Sequence, residues 1–307
     1  MGAVTLIIYV CPNCGGPHSL EEFNESRFCH HCGKFLTSSD RRLMEQNKIK
    51  NTKTSRRTTQ NKTRADKDPR VKKLLEFAET VDAQELVPVL EEKAAELIKE
   101  DPFAFALAGV LDRGTKAEII WTIPYYIKKQ LGDLNPYFFA NASLEELEKI
   151  IQKLPVKPRY VTDAPHTLRG LSRIIVNECN GQTQKLWENK SSRAVKATFE
   201  RIYGVGPGIA SMIILLLERW FGVHFNDVDH RNMDVKSDVH IVRVFHRLGF
   251  ISEPDSNSAL KAARRLNPDY PGALDPPAWT IGRNWCTAFS PRCNRCPLNE
   301  VCPKNIR

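Results

Sequence analysis

Two groups of four cysteines constrain this chain more than any other feature of its 307 residues. The first is Cys11-Pro-Asn-Cys14 with Cys29-His-His-Cys32, two tight knuckles whose second cysteines are each followed by a glycine, Gly15 and Gly33. Four thiolates presented this way form the tetrahedral sulfur shell that structural zinc takes. A segment this short buries little core, so the metal must supply its folding free energy. Residues 1–40 are therefore expected to be a zinc ribbon held by Cys11, Cys14, Cys29 and Cys32; His30 or His31 could replace a cysteine, but adjacent histidines inside a knuckle are more often exposed. The second group is Cys286, Cys293, Cys296 and Cys302. Spacing alone leaves zinc and an iron–sulfur cluster both open there. The ninth cysteine, Cys179, ends an apolar helical stretch and reads as a small core residue. Two metal-type quartets fit a reducing compartment better than paired secretory disulfides do.

Charge divides the chain further. The net charge is +9, and residues 41–70 carry eleven Lys/Arg against three Asp/Glu. That segment has few large apolar side chains, so it is expected to be a flexible linker. A basic arm attracts polyanions through counterion release, which makes nucleic acid its natural partner; a solvated tether is the plain alternative. No apolar run approaches the ~20 residues of a membrane helix. Val4 to Val10 lacks a basic leader and reads as a strand rather than a secretion signal. The expectation is an intracellular, cytoplasmic protein with no membrane partner.

From about Val71 the apolar spacing turns helical. Helices are expected over roughly 102–111, 115–131, 167–179, 191–202, 208–221, 238–248, 257–266 and 276–285, with Ser143-Leu-Glu-Glu146 a capping box opening another run to Leu154. No convincing strand follows residue 40, so residues 71–307 read as one all-α domain. Within it, residues 199–212 read as helix, Gly-rich hairpin, helix. Gly204, Val205, Gly206 and Gly208 form a turn where glycine permits positive φ and lets backbone approach a phosphate. Pro207 suits the first turn of the second helix, whose free N–H groups make an anion site. An ordinary corner between two helices has the same local pattern.

The order of the motifs carries more than any one of them. Hairpin 199–212, then Ser237-Asp238-Val239-His240-Ile241-Val242-Arg243-Val244, then the quartet in loop 286–302, resembles the endonuclease III branch of the helix-hairpin-helix DNA glycosylase superfamily over roughly residues 100–307. The resemblance implies a two-lobed all-α fold. It implies a [4Fe–4S] cluster on Cys286, Cys293, Cys296 and Cys302; Arg292 and Arg295 flank the middle cysteines, placed either to reach DNA phosphates or simply to be solvated at the surface. It also implies Asp238 as the catalytic carboxylate; the local pattern taken alone makes Asp238 a helix N-cap. The hairpin lysine of the bifunctional lyases is matched here by Gly208, so a monofunctional glycosylase is expected, with Lys236 the nearest lysine able to restore lyase chemistry. The spacing from hairpin to aspartate is longer than in endonuclease III, and the inserted residues 226–233 are expected to reshape the pocket rim.

An enzyme of this kind acts on double-stranded DNA holding a damaged or mismatched base, which it flips into a pocket. The segment Leu111 to Thr115 matches the family's substrate-facing junction, making Asp112, Arg113 and Trp121 candidate pocket residues, although aromatics at such spacing are more often core. It lacks the glutamine-rich sequence that endonuclease III and the adenine mismatch glycosylase have there. The chain is expected to act as a monomer, its ribbon open to contact with DNA or with a protein partner. Two other functions compete: a bifunctional glycosylase and lyase using a displaced lysine, and a non-catalytic protein that binds damaged DNA.

Overall fold

The computed structural model describes residues 5–10, 17–18, 49–52 and 68–306, in two compact units divided after Asn61. The first unit contains three short strands, β1 (Thr5–Val10), β2 (Pro17–His18) and β3 (Ile49–Thr52). They form an antiparallel sheet in the order β2-β1-β3, with Tyr9 opposite His18 and Leu6 opposite Asn51. Two expectations change here. A strand lies beyond residue 40, and it falls within the segment read as a linker; backbone pairing with β1 needs no apolar side chains, so composition did not reveal it. Cys11, Cys14, Cys29 and Cys32 lie outside the described residues.

From Asp68 onward the described residues are helical. Asp68 caps α1 (Pro69–Ala78) by accepting the Arg70 N–H, with proline at the first position, where the missing donor costs nothing. Next come α2 (Glu92–Glu100) and α3 (Pro102–Leu111). The apolar α3 runs through the middle of the larger core, and every residue from Phe103 to Leu111 is buried. The continuous helix expected over 115–131 is instead α4 (Ala117–Ile120) and α5 (Ile123–Leu131). Pro124 has no N–H to continue the earlier ladder, and Thr122 turns its hydroxyl onto the Glu118 carbonyl at 2.7 Å. Beyond α6 (Pro136–Asn141), α7 (Leu144–Lys153) opens on the expected capping box of Ser143 and Glu146. Helix α8 (Ala164–Cys179) ends with Cys179 buried, and α9 (Ser192–Glu200) and α10 (Pro207–Phe221) flank the hairpin. Helices α11 (Val239–Arg247), α12 (Ser256–Leu266) and α13 (Asp275–Asn284) complete the set.

Two hydrophobic cores result. One gathers residues from Val87 to Met233, and includes Phe105, Trp121, Phe139 and Phe199. The other joins α1 to α11, α12 and α13, with Val71 and Leu74 beside Ile241, Phe245 and Ile281. This is the two-lobed organisation, and it explains why the first helix belongs with the last three. No helix among the described residues is long and apolar enough to cross a membrane.

Candidate active site

A cleft of about 1030 Å³ lies between the two cores. One wall comes from the end of α3 and the start of α4, with Asp112, Gly114 to Glu118, and Arg159. The other comes from Lys236 to His240, Val242, Pro254 to Ser256, Trp279 and Arg283. Arg283 reaches across to Glu118 at 3.5 Å.

Asp238 sits in the second wall because the chain before α11 is pinned on three sides. The Asp234 carboxylate, buried, takes two 2.7 Å bonds from the Arg264 guanidinium. The Met233 carbonyl accepts from the Gly272 N–H at 2.7 Å, and the Lys236 N–H donates to Asp275 Oδ2 at 2.5 Å. Asp238 is then the N-cap of α11: its Oδ1 accepts the N–H groups of His240 at 2.8 Å and Ile241 at 3.1 Å. Among the described residues its Oδ2 has no protein donor. The local reading and the family reading therefore describe the same side chain: capping fixes one oxygen and the positive end of the helix favours its charge, while the cap position lines the cleft.

The remaining sequence candidates separate. Asp112 lines the cleft, buried, with its Oδ2 at 3.0 Å from Lys236 Nζ and 3.3 Å from Trp121 Nε1. Trp121 itself is a core residue, packed on Phe105, and does not line the cleft. Arg113 turns away to brace the hairpin, with its guanidinium against Tyr160 and Tyr203 and its Nη2 3.3 Å from Thr167 Oγ1. Residues 226–233 contribute nothing to the cleft. They pack on α9 instead, through Arg193 to Asp229 at 2.5 Å and Lys196 to the Asn232 carbonyl at 2.5 Å. Of the hairpin glycines only Gly204 takes positive φ, +79°, and a Cβ there would meet the Arg113 guanidinium. Gly206 is extended, and Gly208 lies in the first turn of α10 for a different reason: a Cβ on it would stand 3.1 Å from the Lys236 Cα.

Sequence reasoning missed Asp275, the Asp112–Lys236 pair and the ties from α11 to the cysteine loop. Asp275 lies behind Lys236, and burial pushes its pKa up to about 7; the nearby Asp238 and Asp112 charges add to the rise, and the Lys236 N–H and charge oppose it. Arg243 Nε donates to the Cys286 carbonyl at 2.6 Å, while Arg247 donates to the Thr287 and Ala288 carbonyls at 2.7 and 2.9 Å. The spacing of four between these arginines put them on one helical face, a signal that was there to be read. Cys286, Cys293, Cys296 and Cys302 line one small cavity with Arg247 and Trp285. Yet no three His, Cys, Asp or Glu among the described residues converge closely enough for a single metal ion. Arg292 and Arg295 are exposed on this loop, Arg292 also bonded to the Asn284 carbonyl at 2.6 Å.

Known proteins share this sequence at low identity. A chloroplastic endonuclease III homologue of Arabidopsis thaliana is 23% identical over 217 residues, covering 68% of this chain and 50% of the homologue. A thymine/uracil-DNA glycosylase of Pyrobaculum aerophilum is 29% identical over 212 residues, 66% of this chain and 80% of the relative. Three of the matched relatives carry endonuclease III names. The matched region spans about half the length of the Arabidopsis homologue, and no protein-family profile matches the chain. Among solved structures, a trapped endonuclease III–DNA covalent intermediate aligns with a TM-score of 0.48 at 20% identity, over 69% of this chain and 92% of its own.

Proposed function

We propose that the chain is a monofunctional DNA glycosylase of base-excision repair, hydrolysing the N-glycosidic bond of a damaged or mismatched base. The observation that carries this reading is Asp238, held through Oδ1 by two backbone N–H groups and lining a cleft large enough for a flipped nucleotide. The sequence relatives, named as endonuclease III homologues and a thymine/uracil-DNA glycosylase, support it. As the sugar–base bond stretches, positive charge develops on the sugar ring. A fixed carboxylate beside it stabilises that charge and orients the attacking water. The hairpin's Gly204 turn and the α10 N-terminus would take a DNA phosphate, with Arg292 and Arg295 adding charge from the loop.

The donor set of Cys286, Cys293, Cys296 and Cys302 fits a [4Fe–4S] cluster, which would fix the loop that Arg243 and Arg247 tie to α11. Zinc on Cys11, Cys14, Cys29 and Cys32 is proposed for the first unit on sequence grounds alone. One observation favours the bifunctional alternative: Lys236 leaves the backbone where a side chain on residue 208 would point.

The test is a panel of duplexes, each with one damaged or mismatched base, split between alkali treatment and borohydride. Strand cleavage that appears only after alkali, with no trapped adduct, is expected for one or more of them. A trapped adduct on the abasic sugar left by excision would favour the lyase, and intact DNA across the panel would favour the binding protein.

A further inference from the structure

We infer that Asp112 is a positioning residue that restrains Lys236, keeping an amine beside the cleft from attacking the sugar. The inference rests on the monofunctional reading above and explains how a cleft with a lysine in its wall remains hydrolytic. Lys236 stands two residues before Asp238, and both line the cleft. Its Cα and Cβ occupy the space, at 3.1 and 3.7 Å, into which a Cβ on Gly208 would project. The side chain therefore starts from the same place as one carried by the hairpin. Its end does not point free into the cleft. Nζ lies 3.0 Å from Asp112 Oδ2, with the carboxylate only 8% exposed and the lysine side chain 18%. The Met212 sulfur is its other neighbour, at 3.6 Å. Asp112 is itself fixed, by the end of α3 and by the Trp121 indole N–H. Asp275, behind, holds the Lys236 backbone rather than its amine.

A lysine ammonium has no lone pair to give, and here it donates to a carboxylate in a partly enclosed site. Replacing that carboxylate with a neutral amide removes the ion pair that holds the amine in place. The chain Val235 to Asp238 stays pinned by Asp275 and Arg264, so the released amine remains at the cleft wall. Given an abasic sugar in its open form, the neutral amine adds to the C1′ aldehyde carbon. A proton from solvent lets the carbinolamine hydroxyl leave as water, giving a protonated imine, and borohydride delivers hydride to that carbon, leaving a stable secondary amine that links protein to DNA.

The experiment uses the full-length protein and a duplex containing a ready-made abasic site, with borohydride. The aldehyde is supplied in advance, so the result does not depend on which base is excised or on whether Asp238 drives excision. The wild type is expected to give little adduct, Asp112→Asn at least tenfold more, and Asp112→Glu no more than the wild type. The gain should vanish in Asp112→Asn/Lys236→Gln. A loss of packing alone would not create a new covalent bond, so this readout separates restraint from a structural role. Strong trapping by wild-type Lys236 would overturn the inference. So would an Asp112→Asn protein that binds the abasic duplex without any gain. Should Asp112→Asn not fold, formaldehyde and cyanoborohydride ask the same question of the wild type. Lys236 is expected to escape methylation under conditions that modify the exposed Lys72, and equal rates at the two would overturn the restraint.

Discussion

Asp275 shows how one side chain joins stability to the site. Its carboxyl is placed to receive the Lys236 N–H, and burial with two neighbouring carboxylates raises its pKa from 3.8 to about 7. The folded state therefore keeps a proton that the unfolded chain loses near pH 4. Asp275's contribution to stability is complete at the acid end, falls as pH rises through about 7, and is level above that. Asp275→Asn, which cannot ionise, should flatten this fall; melting temperatures of both proteins from pH 4 to 8 measure it. Parallel curves would mean that Asp275 ionises as freely in the folded chain as in the unfolded one. Nothing in the sequence near Asp275 announced this, because its partners, Lys236, Asp238 and Asp112, come from distant segments. Asp238 was legible, since its capping pattern is local and its neighbours in sequence carry the family resemblance.

Among the elements, the contact between α11 and α13 holds the aspartate to the cysteine loop. Gly282 makes that contact close: a Cβ there would lie 2.8 Å from the His240 Cβ and 3.2 Å from its carbonyl oxygen. Backbone on the far side cannot yield cheaply, so α11 would have to move. Gly282→Ala is expected to cost about 1–3 kcal/mol of stability, as overpacking does, and to slow base release by shifting Asp238. Denaturant unfolding alongside a single-turnover assay checks both, and an alanine protein as stable as the wild type would contradict the contact. Helices were easy to find where apolar periodicity ran long, as in α8, α10 and α11. The short α6 and the division between α4 and α5 were harder, because proline placement and a threonine hydroxyl decided them rather than periodicity. Strand β3 was invisible for a related reason. Its pairing is a backbone matter, and its residues, Ile49 to Thr52, sit in a run chosen for charge.

At the scale of the whole chain, two units carry different tasks. The helical unit holds the cleft, and the basic residues of the first lie mostly between Arg41 and Arg57. Removing residues 1–61 spares the Asp68 cap of α1. The shortened protein should bind DNA more weakly, with a salt dependence shallower by roughly one to several ions, and elemental analysis should still find the iron proposed for the second quartet but not the zinc proposed for the first. An unchanged slope would reduce the basic segment to a tether, and loss of iron would separate the cluster from the second quartet. The two-lobed layout followed from the order of motifs along the chain, whereas the cleft between the lobes required the packing of α1 with α11 to α13, which no local pattern specifies. Asp238→Asn keeps the size of the side chain and an oxygen able to accept the helix N–H groups, and removes the charge. Single-turnover base release, measured beside DNA affinity on a duplex the wild type cleaves, should fall by at least a hundredfold, about 2.7 kcal/mol at 1.36 kcal/mol per decade, with affinity within a few-fold. Base release at the wild-type rate would contradict the account.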